Sequence, residues 1–256
     1  MNFIIKQQWR YFLTAVMFFT RIPIKLNDFD EADLNKSTRF FPLVGILVGL
    51  VGALVFWLCD ILLPLEVAIL LSMVATILLT GAFHEDGLAD SIDGLGGGWS
   101  KEQVLTIMVD SRIGSYGAIG LVMGLLIKYQ ALSYQTVALI PASIVAGHAL
   151  SRLCAVLVMF TQNYVKAEGK SKPLATQLNT TELIIATFFG LLPMAFLEMK
   201  YLAALIPVAV VWVWFSAKIK NRIGGYTGDC LGAIQQLTEI AFYIGLLASA
   251  AFFVKA

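Results

Sequence analysis

The sequence is poor in charge. Only 14% of its 256 residues are Asp, Glu, Lys or Arg, against about 25% in an ordinary soluble domain. That shortage argues against a water-facing globule and makes a membrane protein the first expectation. The net charge of +1 carries no basic surplus, so no nucleic-acid partner is expected. Cysteine is scarce too. Cys59, Cys154 and Cys230 are odd in number and far apart, and two lie in apolar runs, which excludes a disulfide framework and a cysteine zinc site. Fixed-period repeats and low-complexity tracts are missing, so residues 1–256 read as one membrane-embedded domain. The apolar stretch near the N-terminus is interrupted by Arg21 and lacks an Ala-x-Ala site, so it is expected to remain in the mature chain.

Apolar sequence is abundant: 59% of residues are hydrophobic and mean hydropathy is +0.81. A spanning helix needs ~20 mostly apolar residues. The candidates are 40–63, 65–83, 113–132, 137–160, 183–197, 201–217 and 231–254. The expectation is an all-α, polytopic integral membrane bundle of about seven spans. Residues 11–24, flanked by Lys6, Arg10, Arg21 and Lys25, add an N-terminal interfacial or partly inserted helix. With that topology, all Lys and Arg except Lys128, Arg152, Lys200 and Lys255 fall on one side of the membrane. The positive-inside bias makes that side cytoplasmic. Lys128 and Arg152 sit within spans, Arg152 four residues after His148, and ionisable groups there usually face the protein interior. Arg152 suits either a structural ion pair or a phosphate.

The stretch "GAFHEDGLADSIDGLGGG" (81–98) departs from the scarcity of charge. It sets Glu85, Asp86, Asp90 and Asp93 at the end of an apolar run, with no Lys or Arg between 81 and 100. If the helix continues, or restarts after a kink, Asp86, Asp90 and Asp93 stand at i, i+4 and i+7 on one face. Like charges so close to lipid need an offset, and a hard divalent cation supplies one. Magnesium is typically held by one or two carboxylates plus substrate phosphates. Glycines from Gly94 onward end the helix in a loop that a ligand can approach. His84 suits a ligand, an acid–base group or an interfacial hydrogen-bonding residue equally.

Two further stretches fall on the same face. "MVDSRIGSYGAIGL" (108–121) offers Asp110 for a metal, with Ser111 and Arg112 for phosphate. "RIGGYTGDCLGA" (222–233) places Gly228 and Asp229 at the start of the last span, an anion site or a helix cap. Lys166, Lys170 and Lys172 read as a solvated loop.

Together "FFPLVGILVG" (40–49), "GAFHEDGLADSIDG" (81–94), "DSRIGSYGAIGL" (110–121) and "GGYTGDCLGA" (224–233) resemble the cobalamin synthase (adenosylcobinamide-GDP ribazoletransferase) family, from about residue 9 to the end. The resemblance implies a single transferase domain in the bacterial inner membrane that requires Mg²⁺. It implies joining of adenosylcobinamide-GDP to α-ribazole or its 5′-phosphate, with release of GMP. On that reading Asp86, Asp90 and Asp93 hold one or two magnesium ions. Glu85 and Asp110 are further candidate ligands, and Asp229 completes the site. Arg112 steadies the pyrophosphate, with Ser111, Gly94, Gly228 and Arg152 as further phosphate-binding candidates. One carboxylate, or His84, takes the attacking hydroxyl's proton. A homo-oligomer is left open. Asp90-Ser91-Ile92-Asp93-Gly94 also matches the first half of the CDP-alcohol phosphotransferase pattern, but Gly97 and Gly98 stand where that pattern has Ala-Arg. A secondary transporter would place its ions near the midplane instead.

Overall fold

The computed structural model describes residues 3–26, 31–165 and 178–255; Lys166, Lys170 and Lys172 lie outside them. The described chain is helical throughout: α1 (Phe3–Phe19), α2 (Glu31–Ser37), α3 (Phe41–Asp60), α4 (Leu65–Thr80), α5 (Phe83–Gly97) and α6 (Lys101–Val109) are followed by α7 (Ser115–Ser133), α8 (Ile140–Thr161), α9 (Thr180–Leu191), α10 (Leu205–Ile223) and α11 (Gly228–Lys255). Among the described residues five helical stretches are long and apolar enough to cross a membrane: Asp33–Asp60, Ser115–Ser133, Ile140–Thr161, Met199–Ile223 and Gly228–Phe252.

The other expected spans take different forms. The run 65–83 ends early because Gly81 (φ 66°) and Ala82 (φ 58°) both adopt the left-handed conformation. The chain turns by 87° there, so α4 and α5 form one broken span or re-entrant unit. The run 183–197 becomes a shorter apolar helix, Thr180–Phe196, whose last turn from Leu192 is 3-10. The N-terminal α1 is not in the spanning set.

With lipid tails as apolar as the helices, close backbone packing holds such bundles together. Gly45 and Gly49 let α3 lie directly on α8: a Cβ at Gly49 would stand 2.6 Å from the Val145 Cα. The two long helices α8 and α11 form the centre, with about four-fifths of their apolar windows buried inside the bundle.

The segments expected on one side of the membrane do meet at one end of the bundle. Arg39 pairs with Glu182, and Tyr226 N donates to Asn163 O at 3.0 Å. Arg222, at the end of α10, donates to Leu95 O and Gly98 O at the end of α5.

Candidate active site

The acidic helix α5 packs against the first halves of α7 and α11. Its contact with α11 is glycine on glycine. A Cβ on Gly87 would meet the Asp229 carbonyl oxygen at 2.8 Å and both the Asp229 and Gly232 Cα atoms at 3.2 Å, while one on Gly232 would meet His84 O at 3.1 Å. Close approach of this kind needs residues without side chains at both positions. It lays Asp229 beside the turn of α5 that carries Asp86 and Asp90. Asp86 is exposed, and Asp90 and Asp229 are half-buried. The cap of α11 is Thr227 rather than Asp229: Cys230 N donates to Thr227 Oγ1 at 3.3 Å. Gly228, in the first turn, is exposed with nothing within 4 Å of its would-be Cβ, so its backbone is open to a ligand.

The other acids of the stretch face elsewhere. Asp93 is buried, and both its oxygens accept backbone N–H groups at the start of α7: Oδ2 from Gly114 at 2.7 Å and Oδ1 from Gly117 at 2.8 Å. A carboxylate at a helix N-terminus satisfies orphan amides and complements the helix dipole. The stripe of Asp86, Asp90 and Asp93 is thus divided. Asp86 is left exposed and Asp90 half-buried, while Asp93 anchors α7. Glu85 points into the bundle, its Oε1 accepting Gln236 Nε2 at 2.9 Å. His84 is buried, stacked on Phe19 (ring centroids 5.8 Å, 15° between planes) and edge-on to Phe83. Packing of this kind suits an interior residue better than a group exchanging protons with substrate. Gly94 packs α5 onto α6, its would-be Cβ 2.6 Å from the Met108 Cγ, so it does not face a ligand.

The 110–114 loop touches the acids of α5 through the Gly114 amide on Asp93. Arg112, 87% exposed in its side chain, forks onto Asp110 with Nη2 to Oδ2 at 2.6 Å. The guanidinium holds the Asp110 carboxyl down to about 2, and that carboxylate raises the Arg112 pKa in turn. Ser111 is exposed beside them. Arg152 is 2% exposed inside the bundle and donates to His148 O at 3.0 Å, with its Nη1 3.2 Å from His148 Nδ1. It belongs to an interior charge cluster and not to an open phosphate site.

Sequence reasoning passed over most of that cluster. Glu239, fully buried on α11, meets Lys128 Nζ at 2.6 Å, and Tyr243 Oη donates to it at 2.9 Å. Gln235 Nε2 reaches Glu239 at 2.6 Å and Ser151 at 2.9 Å, and Gln236 Nε2 bonds Gln235 Oε1 as well as Glu85. The available signal was a Gln-Gln pair and a Glu inside an apolar span, which implies interior partners. Arg222, capping the C-terminal end of α5, had no such signal.

Among the described residues, no three His, Cys, Asp or Glu side chains converge to hold an ion by themselves. The donors beside the α5–α11 contact that keep some exposure, Asp86, Asp90 and Asp229, are all carboxylates. Such a set suits magnesium shared with substrate phosphates better than a closed protein cage.

The Cobalamin-5-phosphate synthase family model matches residues 11–247. The chain is 47% identical over 254 residues to an adenosylcobinamide-GDP ribazoletransferase of Ralstonia pickettii (strain 12J), covering 95% of this chain and 97% of that one. It is 45% identical over 252 residues to the one of Shewanella frigidimarina (strain NCIMB 400), covering 94% and 95%. No solved structure matches it. A family match over nearly the whole bundle, helices and acidic motif included, means that the chain belongs to the cobalamin-5-phosphate synthase family.

Proposed function

We propose that the chain joins adenosylcobinamide-GDP to α-ribazole or its 5′-phosphate, releasing GMP, at the end of the bundle where α5 meets α11. The transferase activity is that of its named relatives. The observation that carries the placement is the Gly87–Gly232 contact, which sets Asp229 beside the turn bearing Asp86 and Asp90. One or two of these carboxylates, together with substrate phosphates, would hold Mg²⁺. When bound, the ion neutralises charge developing on the phosphate oxygens.

The chain's own residues bind and orient. The open backbone at Gly228 gives a helix N-terminus for a phosphate oxygen. The ribose hydroxyl oxygen bonds to the corrinoid-linked phosphorus, the bond from that phosphorus to the bridging oxygen breaks, and GMP departs. A carboxylate on the open face of α5, and not the enclosed His84, takes the hydroxyl proton. The Lys- and Arg-rich end faces the cytoplasm of the bacterial inner membrane, by the positive-inside bias.

The test is turnover by the purified chain in detergent. Product is expected from adenosylcobinamide-GDP plus α-ribazole with Mg²⁺, none from CDP-linked lipids, and none after chelation. Folded Asp90→Asn protein should turn over about 100-fold more slowly or worse, a loss of several kcal/mol in transition-state stabilisation. Near-normal turnover and magnesium dependence in that variant would overturn the site. Vesicle uptake without chemistry would favour a transporter instead.

A further inference from the structure

Two carboxylates and two strong bases meet in the interior from four different helices, beside His148 and Tyr243: Glu85 of α5, Lys128 of α7, Arg152 of α8 and Glu239 of α11. Two are acids and two are bases, so the set is neutral when all are charged. Glu239 takes Lys128 directly. The fields of Lys128 and Arg152 both reach Glu85. The acids are linked by hydrogen bonds running from Glu85 through Gln236 and Gln235 to Glu239. Glu239 lies eleven residues into α11, about 16 Å at 1.5 Å per residue, well inside the apolar layer. Such a set is satisfied only when all four helices stand in one register, because a slip would leave a charge unpaired in hydrocarbon.

We infer that Glu85 is a positioning residue for the proposed magnesium site and not one of its ligands. This rests on the reading of Asp86, Asp90 and Asp229 given above. Glu85 immediately precedes Asp86, and its partner Gln236 lies seven residues after Asp229 on α11. The Glu85–Gln236 bond therefore fixes how far α5 stands along α11. The Gly87–Gly232 contact sets only how closely the two helices approach. Together they fix the spacing of Asp86 and Asp90 from Asp229. Glu85 itself is buried on the inward side of α5, while Asp86 is exposed. Adjacent residues on a helix point about 100° apart, so the carboxylate that grips the bundle and the one that faces substrate are neighbours in sequence with opposite roles.

The full-length chain in detergent distinguishes the roles. Binding of Mn²⁺ in the presence of GDP, followed by electron paramagnetic resonance, is read beside the magnesium dependence of turnover. Gln236→Leu, which removes the donor but touches no candidate ligand, should weaken Mn²⁺ binding about tenfold, one 1.4 kcal/mol step. It should raise the Mg²⁺ needed for half-maximal rate by a like factor and lower kcat, with KM for α-ribazole within about twofold of wild type. Glu85→Gln keeps the acceptor oxygen for Gln236 and should retain Mn²⁺ binding within about threefold, while Asp90→Asn loses it. Gln236→Asn, one methylene shorter, gives the same reading if Gln236→Leu does not fold. Wild-type Mn²⁺ binding in folded Gln236 variants overturns the inference alone, as does a loss in Glu85→Gln equal to that in Asp90→Asn. A wild-type chain that binds no Mn²⁺ and turns over without Mg²⁺ overturns the metal site and the inference together.

Discussion

Asp90 and Asp93 stand three residues apart on α5, yet their surroundings differ. The Asp93 carboxylate is enclosed by the first turn of α7, and the glycines of that turn are needed there. A Cβ on Gly117 would fall on Asp93 Oδ2, and one on Gly114 would stand 2.5 Å from Oδ1. Gly114 and Gly117 of "DSRIGSYGAIGL" thus serve a carboxylate on another helix, while Gly120 packs on Ile92. Gly117→Ala should therefore destabilise by about 1–3 kcal/mol through overpacking, or roughly 2–4 °C of Tm per kcal/mol. A thermal scan in detergent checks this, and an unchanged Tm would mean that the Asp93 cap is not rigid. The division between the acids was only half legible beforehand. The i, i+4, i+7 spacing of Asp86, Asp90 and Asp93 does put them on one stripe. The partners that claim Asp93, however, are backbone amides of a distant segment, which no side-chain identity advertises.

The bend that aims α5 belongs to a whole element. Apolar length made α3, α7, α8 and α11 readable, because crossing hydrocarbon demands a run that leaves an unmistakable trace. It left open whether the run from Leu65 continues or restarts after a kink near residue 81, since apolar content does not report the local backbone conformation. Gly81 adopts its left-handed φ of 66° at no steric cost, and its would-be Cβ position is taken by the Arg21 guanidinium. Ala82 holds a left-handed φ of 58° with a Cβ in place, which costs an L-residue about 1–2 kcal/mol. Replacing it should relieve that strain, offset in part by the extra freedom glycine brings to the unfolded chain. Ala82→Gly is expected to raise stability by a net of about 0.5–1 kcal/mol, seen as a small rise in Tm with turnover retained. A fall in Tm would show that Ala82 is held there by packing that outweighs its strain.

At the scale of the whole molecule, a bundle that avoids charge nevertheless buries Lys128 against Glu239 in its interior, 2.6 Å apart and almost without exposure. Hydrophobic association cannot choose among helix registers in lipid, where every apolar face is equally content. A single well-placed ion pair can, because each alternative leaves a bare charge. The two residues come from α7 and α11, the helices that flank α5, so the pair locks the frame on which the acidic helix is mounted. Removing one partner strands the other. Lys128→Met leaves Glu239 without its direct cation, with His148 3.5 Å away, the neutral donors Tyr243 and Gln235, and Arg152 farther off in the cluster. Glu239→Gln leaves Lys128 without its carboxylate. Each single variant should cost about 3–5 kcal/mol. The double variant Lys128→Met/Glu239→Gln removes both charges and should cost less than the two singles summed, with a coupling of about 0.5–3 kcal/mol. A double-mutant cycle of thermal stability in detergent measures that coupling directly. Simple additivity would mean that the pair contributes nothing to register, and the glycine contacts with the Glu85–Gln236 and Asp93 hydrogen bonds would then have to align α5, α7 and α11.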